Sequence, residues 1–221
     1  MIWPPLKVSL VVVCVATVFV GALGLALAFL LARREFRGKE LLDAVLTMPL
    51  VLPPTVTGYY LIVLLGRRGL LGKPVYELTG WSITFTWQAA AVAATVVALP
   101  LMIKSARAAI ESVEPQYEIA AYTLGKGAWE TFWRVTLPLA RRGVVAGLVL
   151  SFARALGEFG ATLMLAGNIP GETQTMPLAI YEAVMSGEDR RALWLSLILT
   201  FVSVAAIYGT NRLSRAPSAD A

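Results

Sequence analysis

Residues 8–32 form a run of 25 without one charged side chain. Hydrocarbon offers no partner to a backbone N–H or C=O, so such a run must satisfy its own backbone if it enters a bilayer. Five segments are long enough to cross roughly 30 Å of hydrocarbon as helices. They are 8–32, 44–65, 83–103, 144–166 and 192–208, the second broken by Pro49, Pro53 and Pro54 and the fifth short. Of the 221 residues 57% are apolar, and the mean hydropathy is +0.70. Soluble domains hold about 45–50% apolar residues. The expectation is an all-α polytopic membrane protein with about five transmembrane helices. The first run is too long for the apolar part of a secretory signal, and Arg33-Arg34 follow it in place of a small-residue cleavage site, so it reads as a retained span.

Basic residues orient the chain. With the N-terminus outside, the inner segments hold Arg33, Arg34, Arg37, Lys39, Lys104, Arg107, Lys126, Arg134, Arg141, Arg142, Arg212 and Arg215, against Lys7, Arg67, Arg68, Lys73, Arg190 and Arg191 outside. Twelve against six is the direction the positive-inside rule requires. The C-terminus is then cytoplasmic. The net charge of +5 therefore reflects orientation and contact with membrane lipid, and the scatter of basic residues over loops argues against nucleic acid. One transmembrane domain is expected over 1–213, with a polar, disordered tail over 214–221.

One polar stretch interrupts the apolar pattern on the side assigned to the cytoplasm. Pro115 suits a first helical turn, where its missing N–H would be unpaired anyway. Gly125 can take positive φ and end the helix. Between them Tyr117, Ala120, Ala121 and Leu124 fall on one face at the i, i+3, i+4, i+7 spacing, beside Glu118. Two alanines in that face permit close approach of another surface. Trp129, Phe132 and Trp133 share a face further on, where aromatic residues anchor helices in the headgroup region.

Arg154 and Glu158 are the charges placed deep in a span, at i, i+4. Intramembrane charge is costly and turns toward a bundle interior or a water-filled path. Two readings stand: the pair lines a translocation route, or it is a buried ion pair that fixes helix register. In the segment 47–58, Pro53 and Pro54 free backbone carbonyls, while Thr47, Thr55 and Thr57 offer neutral hydrogen bonds. Such groups stabilise an ion without trapping it, although a kinked, packed helix needs the same residues. Gly24 with Ala28, and Gly143 with Gly147, have spacings that permit close helix packing.

Covalent chemistry has no visible support. The chain has no histidine, one cysteine (Cys14), and neither HExxH nor GxSxG. It also lacks the phosphate-cradling GxxxxGK[ST]. An enzyme is not expected, and no metal or cofactor is expected in this chain.

The order Ala120-Ala121, three residues, Gly125, nine residues, Val135-Thr136-Leu137-Pro138 resembles the coupling-loop signature of ABC importer permeases. Ile119 stands where that family has Glu, and Glu118 lies one residue early, about 100° away around a helix. Residues 151–161, Ser-Phe-Ala-Arg-Ala-Leu-Gly-Glu-Phe-Gly-Ala, resemble a motif of sulfate and molybdate permeases. Residues 48–59, 66–72 and 168–181 are closer to the molybdate branch. The resemblance implies a type I ABC importer permease fold with its coupling loop at about 105–142, in the cytoplasmic (inner) membrane of a prokaryote. It further implies a homodimer working with a separate ATP-binding subunit that holds ATP and Mg. A molybdate-binding protein outside the membrane would deliver molybdate or tungstate, translocated by alternating access. Sulfate or thiosulfate is the alternative cargo. Pro115, Tyr117, Glu118, Ala120, Ala121, Leu124 and Gly125 would form the coupling helix, and Leu137-Pro138 the end of its loop.

Overall fold

The computed structural model describes the backbone of residues 2–214; the expected tail over 214–221 falls outside the described residues beyond Ser214. Those residues hold eleven α-helices and no strand. Four stretches are long and apolar enough to cross a membrane, namely Trp3–Arg33, Trp87–Glu111, Ala128–Leu156 and Asp189–Gly209. A bent helix pair supplies a fifth crossing if counted as one span.

α1 (Trp3–Arg33) opens on Pro4-Pro5, whose missing N–H groups fall where no intrahelical acceptor exists, and ends where Arg34 turns extended. α2 (Lys39–Val51) and α3 (Pro54–Leu65) meet at 119°. The cause lies in the sequence. A residue before proline is pushed out of the α region, and both Leu52 (ψ 144°) and Pro53 (ψ 136°) precede one. The expected span 44–65 is thus two helices with a sharp corner. α4 (Gly72–Thr79) is a short helix, and Gly80 closes it with φ at 69°.

α5 (Trp87–Glu111) is the centre of the bundle. Thr86 caps it by accepting from the N–H of Ala89 at 3.2 Å. A row of buried alanines, Ala89, Ala90, Ala93, Ala94 and Ala98, lets α1 and other helices approach its axis. The two small-residue pairs face it. A methyl on Gly24 would come within 2.5 Å of Met102, one on Gly143 within 2.4 Å of Ala109, and one on Gly147 within 2.9 Å of Ser105. These spacings serve packing within one chain.

α5 runs eight residues past its expected end at 103, because its polar end finds partners. Asp43 of α2 meets Lys104 at 2.8 Å and Arg107 at 3.4 Å, and Glu111 meets Arg107 at 2.7 Å.

After α6 (Pro115–Thr123) and α7 (Ala128–Thr131), a π-helical turn over Phe132–Thr136 leads into α8 (Leu137–Leu156). The expected span 144–166 is not continuous. It breaks at 157–159, and α9 (Gly160–Ala166) starts afresh across α3. α10 (Met176–Met185) and α11 (Asp189–Ser214) complete the chain.

Candidate functional site

α6 has the form its end residues dictate. Pro115 occupies the first turn, and Gly125 takes φ 77°. The N–H of Lys126 reaches the carbonyl of Ala121 at 3.1 Å, and that of Gly125 reaches Tyr122 at 2.9 Å. This is a Schellman ending, in which orphan carbonyls find donors only because the intervening residue is left-handed. Tyr117, Ile119, Ala120, Tyr122 and Leu124 are all exposed, Leu124 at 79%. Ala121, expected on the same outward face, is instead buried against the chain itself. A short helix with this much bare apolar surface is built to be covered. Trp129 and Trp133 lie beside it, also exposed, while Phe132 between them turns inward and meets the ring of Phe29 at 4.6 Å.

Glu118 does not share the exposure of its neighbours. Its side chain is 13% exposed and turned toward the end of α1, where its Oε1 lies 3.0 Å from Arg33 Nη2 and accepts from Arg33 Nε at 3.1 Å. Thr136 Oγ1 donates to the same oxygen at 2.6 Å, and Arg33 Nη2 also donates to the carbonyl of Val113 at 3.2 Å. Leu137 and Pro138 begin α8 immediately after this junction.

A second cluster surrounds the two helix breaks. α3 and α9 touch through glycine at both ends of their contact. A methyl on Gly58 would lie 2.7 Å from Met164 Cβ and 2.8 Å from Ala161 Cα, and one on Gly160 3.0 Å from Pro54 Cβ. Gly157, by contrast, meets only its own helix, so it serves the end of α8 and not an approach. Arg154 and Glu158 pair as their spacing predicts, Nη1 to Oε2 at 2.8 Å, with side chains 29% and 1% exposed. They do not share a helix, because α8 ends at Leu156. Glu158 instead uses its other oxygen to accept from the N–H of Ala161 at 2.8 Å, satisfying a free donor in the first turn of α9.

Pro54, Thr55 and the Arg154–Glu158 pair are therefore drawn to one place by α9. Thr57 is buried on α3, whereas Pro53 and Thr55 are exposed at the corner. Thr47 is not part of the cluster. The corner carries α2 away toward α5, and Thr47 Oγ1 donates to the carbonyl of Asp43 in its own helix at 2.6 Å.

The loop after α9 adds a polar group. Glu182 of α10 accepts from Asn168 Nδ2 at 3.0 Å and from Gln174 Nε2, and Tyr181 lies against Phe159 at 5.1 Å. Thr173, Gln174 and Thr175 are buried beside them.

This arrangement of helices is shared with solved transporters. A chain of the inward-facing MetNI methionine ABC transporter superposes with a TM-score of 0.75, covering 96% of this chain and 93% of its own at 18% identity. The model of the family described as "Binding-protein-dependent transport system inner membrane component" matches residues 22–216. The chain belongs to that family. Its place is the inner membrane, its fold that of a type I ABC importer permease, and its role transport. A relative from Escherichia coli (strain K12), named as the molybdenum transport system permease protein ModB, is 44% identical over 96% of this chain and 95% of its own. The sulfate transport system permease protein CysW of Synechococcus elongatus is 40% identical over 83% of this chain but only 64% of its own.

Arg33 and Thr136 do not stand out in the sequence as site residues. Arg33 reads as one of the basic residues that set orientation, and it lies 85 residues from Glu118. The signal that was available is periodic. Phe29 and Arg33 are four apart on α1, and their partners Phe132 and Thr136 are four apart in the π-turn.

Proposed function

We propose that this chain is the membrane subunit of an ATP-driven importer that carries molybdate, with tungstate as a second cargo, by alternating access. The observation that carries the reading is the 44% identity to the molybdenum permease over nearly the full length of both chains. Coverage of 96% and 95% of the two chains weighs it above the sulfate relative, of which only 64% is matched.

Two copies of the chain pair in the membrane with the N-terminus outside, and a binding protein delivers the anion to the outer face. A separate subunit binds ATP and Mg and grips α6 through Tyr117, Ala120 and Leu124, with Ile119 and Tyr122 beside them. Their exposure supports this, since apolar surface at the end of a helical bundle is stabilised by a partner's cover. ATP closure pulls α6 and opens the dimer outward, and hydrolysis reverses it. The corner at Pro53-Pro54, Thr55 and Thr57, with Arg154 and Glu158 behind α9, borders the route. Most of the Arg154 field is cancelled by Glu158, so a divalent oxyanion is not held too tightly to leave.

The test is uptake of radiolabelled molybdate in cells carrying this chain with its ATPase and binding protein. Tungstate in excess should block uptake and sulfate should not. Strong competition by sulfate would move the cargo to sulfate or thiosulfate.

A further inference from the structure

We infer that Arg33, Glu118 and Thr136 form a joint that makes α1 move with α6, so that Glu118 acts inward on its own chain and not on the ATPase. The inference rests on the function proposed above and adds a positioning role that the coupling-loop pattern does not supply. Ile119, where that pattern has its carboxylate, is 59% exposed, and the one carboxylate of α6 faces the other way.

The joint is tied at several points. Arg33 grips Glu118 Oε1 with two nitrogens of its fork and the carbonyl of Val113 with one of them. Thr136, 1% exposed, donates to the same carboxylate oxygen. One turn back on α1, Phe29 packs edge-on against Phe132 at 4.6 Å. The π-turn brings Phe132 and Thr136 onto one side, and such turns recur at functional sites because they re-aim side chains within a helix. An exposed ion pair in water holds little together. Here both side chains are under 20% exposed, at 18% and 13%, and an aromatic contact backs the pair.

α1 is suited to carry the movement onward. Its 31 residues span about 46 Å, and Gly24 and Ala28 seat it tightly on α5. At its far end Ser9 Oγ, buried, accepts from the N–H of Met176 at 2.7 Å. Met176 begins α10, directly after the loop that holds Asn168 and Gln174. A shift of α6 therefore has a continuous packed path to the opposite end of the bundle.

The experiment uses the whole complex in proteoliposomes and reads molybdate moved per ATP hydrolysed. Arg33→Gln and Glu118→Gln should each lower that ratio at least about fivefold, the lower edge of usual coupling between sites, while the ATPase subunit still co-purifies. The double change, Arg33→Gln with Glu118→Gln, should lower the ratio no further than either single change, as a direct contact requires in a double-mutant cycle. Loss of the ATPase on Glu118→Gln would overturn the inference, because the carboxylate would then face the partner. An unchanged ratio in both single variants would overturn it too. If the single variants fail to accumulate, the double glutamine variant decides, since it leaves no unpaired charge, and a parent-like ratio in it refutes the joint. Failure of the parent complex to bind an ATPase or move molybdate would remove the proposed function itself, a different result from a normal parent with indifferent variants.

Discussion

Removing Arg154 should hurt this protein more than removing Arg154 and Glu158 together. Glu158 is 1% exposed on its side chain, and its partner Arg154 is 29% exposed. Arg154→Ala strands a buried carboxylate, and breaking one side of a buried pair costs about 3–5 kcal/mol. Glu158→Gln keeps an acceptor for Ala161 and an amide oxygen to which Arg154 can still donate, so the expected cost is about 1.5 kcal/mol, that of one hydrogen bond to a charged group. The double change to alanine removes both charges and leaves an uncapped first turn in α9, for about 1 kcal/mol. The order of stability is therefore parent, double variant and Glu158→Gln close together, then Arg154→Ala well below. Chemical denaturation of the purified permease in detergent reads this order directly. A double variant as unstable as Arg154→Ala would refute the reasoning. Uptake measured alongside separates the two readings of the pair. Recovered transport in the double variant means the pair fixes structure, and lost transport in a stable double variant means it serves the route.

Gly125→Pro should abolish ATP-driven uptake while leaving membrane insertion intact, since proline cannot take φ 77° and lacks the N–H that reaches Tyr122; uptake beside a membrane-fraction immunoblot checks it. Gly58→Ala should destabilise by about 1–3 kcal/mol, because its methyl meets the backbone of α9 and neither helix can yield locally; a thermal-unfolding series checks it. Leu124→Asp should lower recovery of the ATPase subunit on an affinity column at least about tenfold, the loss of roughly 1.4 kcal/mol, without changing permease stability, as Leu124 touches little of its own chain.

Features set by one or two adjacent residues were legible before the structure. Of the three prolines expected to break the second span, Pro53 and Pro54 do so, through the conformation each imposes on the residue before it, whereas Pro49 lies inside α2. Pro115 and Gly125 gave the limits of α6 for the same local reason. The break at 157–159 was hidden, because apolar residues flank it on both sides, glycine is ordinary in membrane helices, and Glu158 reads as a helical partner of Arg154. The pairing of Arg154 with Glu158 came out right from a helical spacing, yet the helix ends between them. The inward turn of Glu118 was illegible for another reason: its partners Arg33 and Thr136 reach it only through tertiary packing. Likewise the extra two turns of α5 depend on Asp43, some 60 residues earlier, by the separation of 61 from Lys104.

The central claim is that α6 is the surface on which an ATPase subunit acts. A photo-cross-linking residue placed at Leu124 in the assembled complex tests it, with the same residue at Leu78 of α4 as control, since both are exposed. The account predicts a cross-link to the ATPase subunit from Leu124 and none from Leu78. A cross-link from Leu78, or none from Leu124 in a complex that hydrolyses ATP, would contradict it.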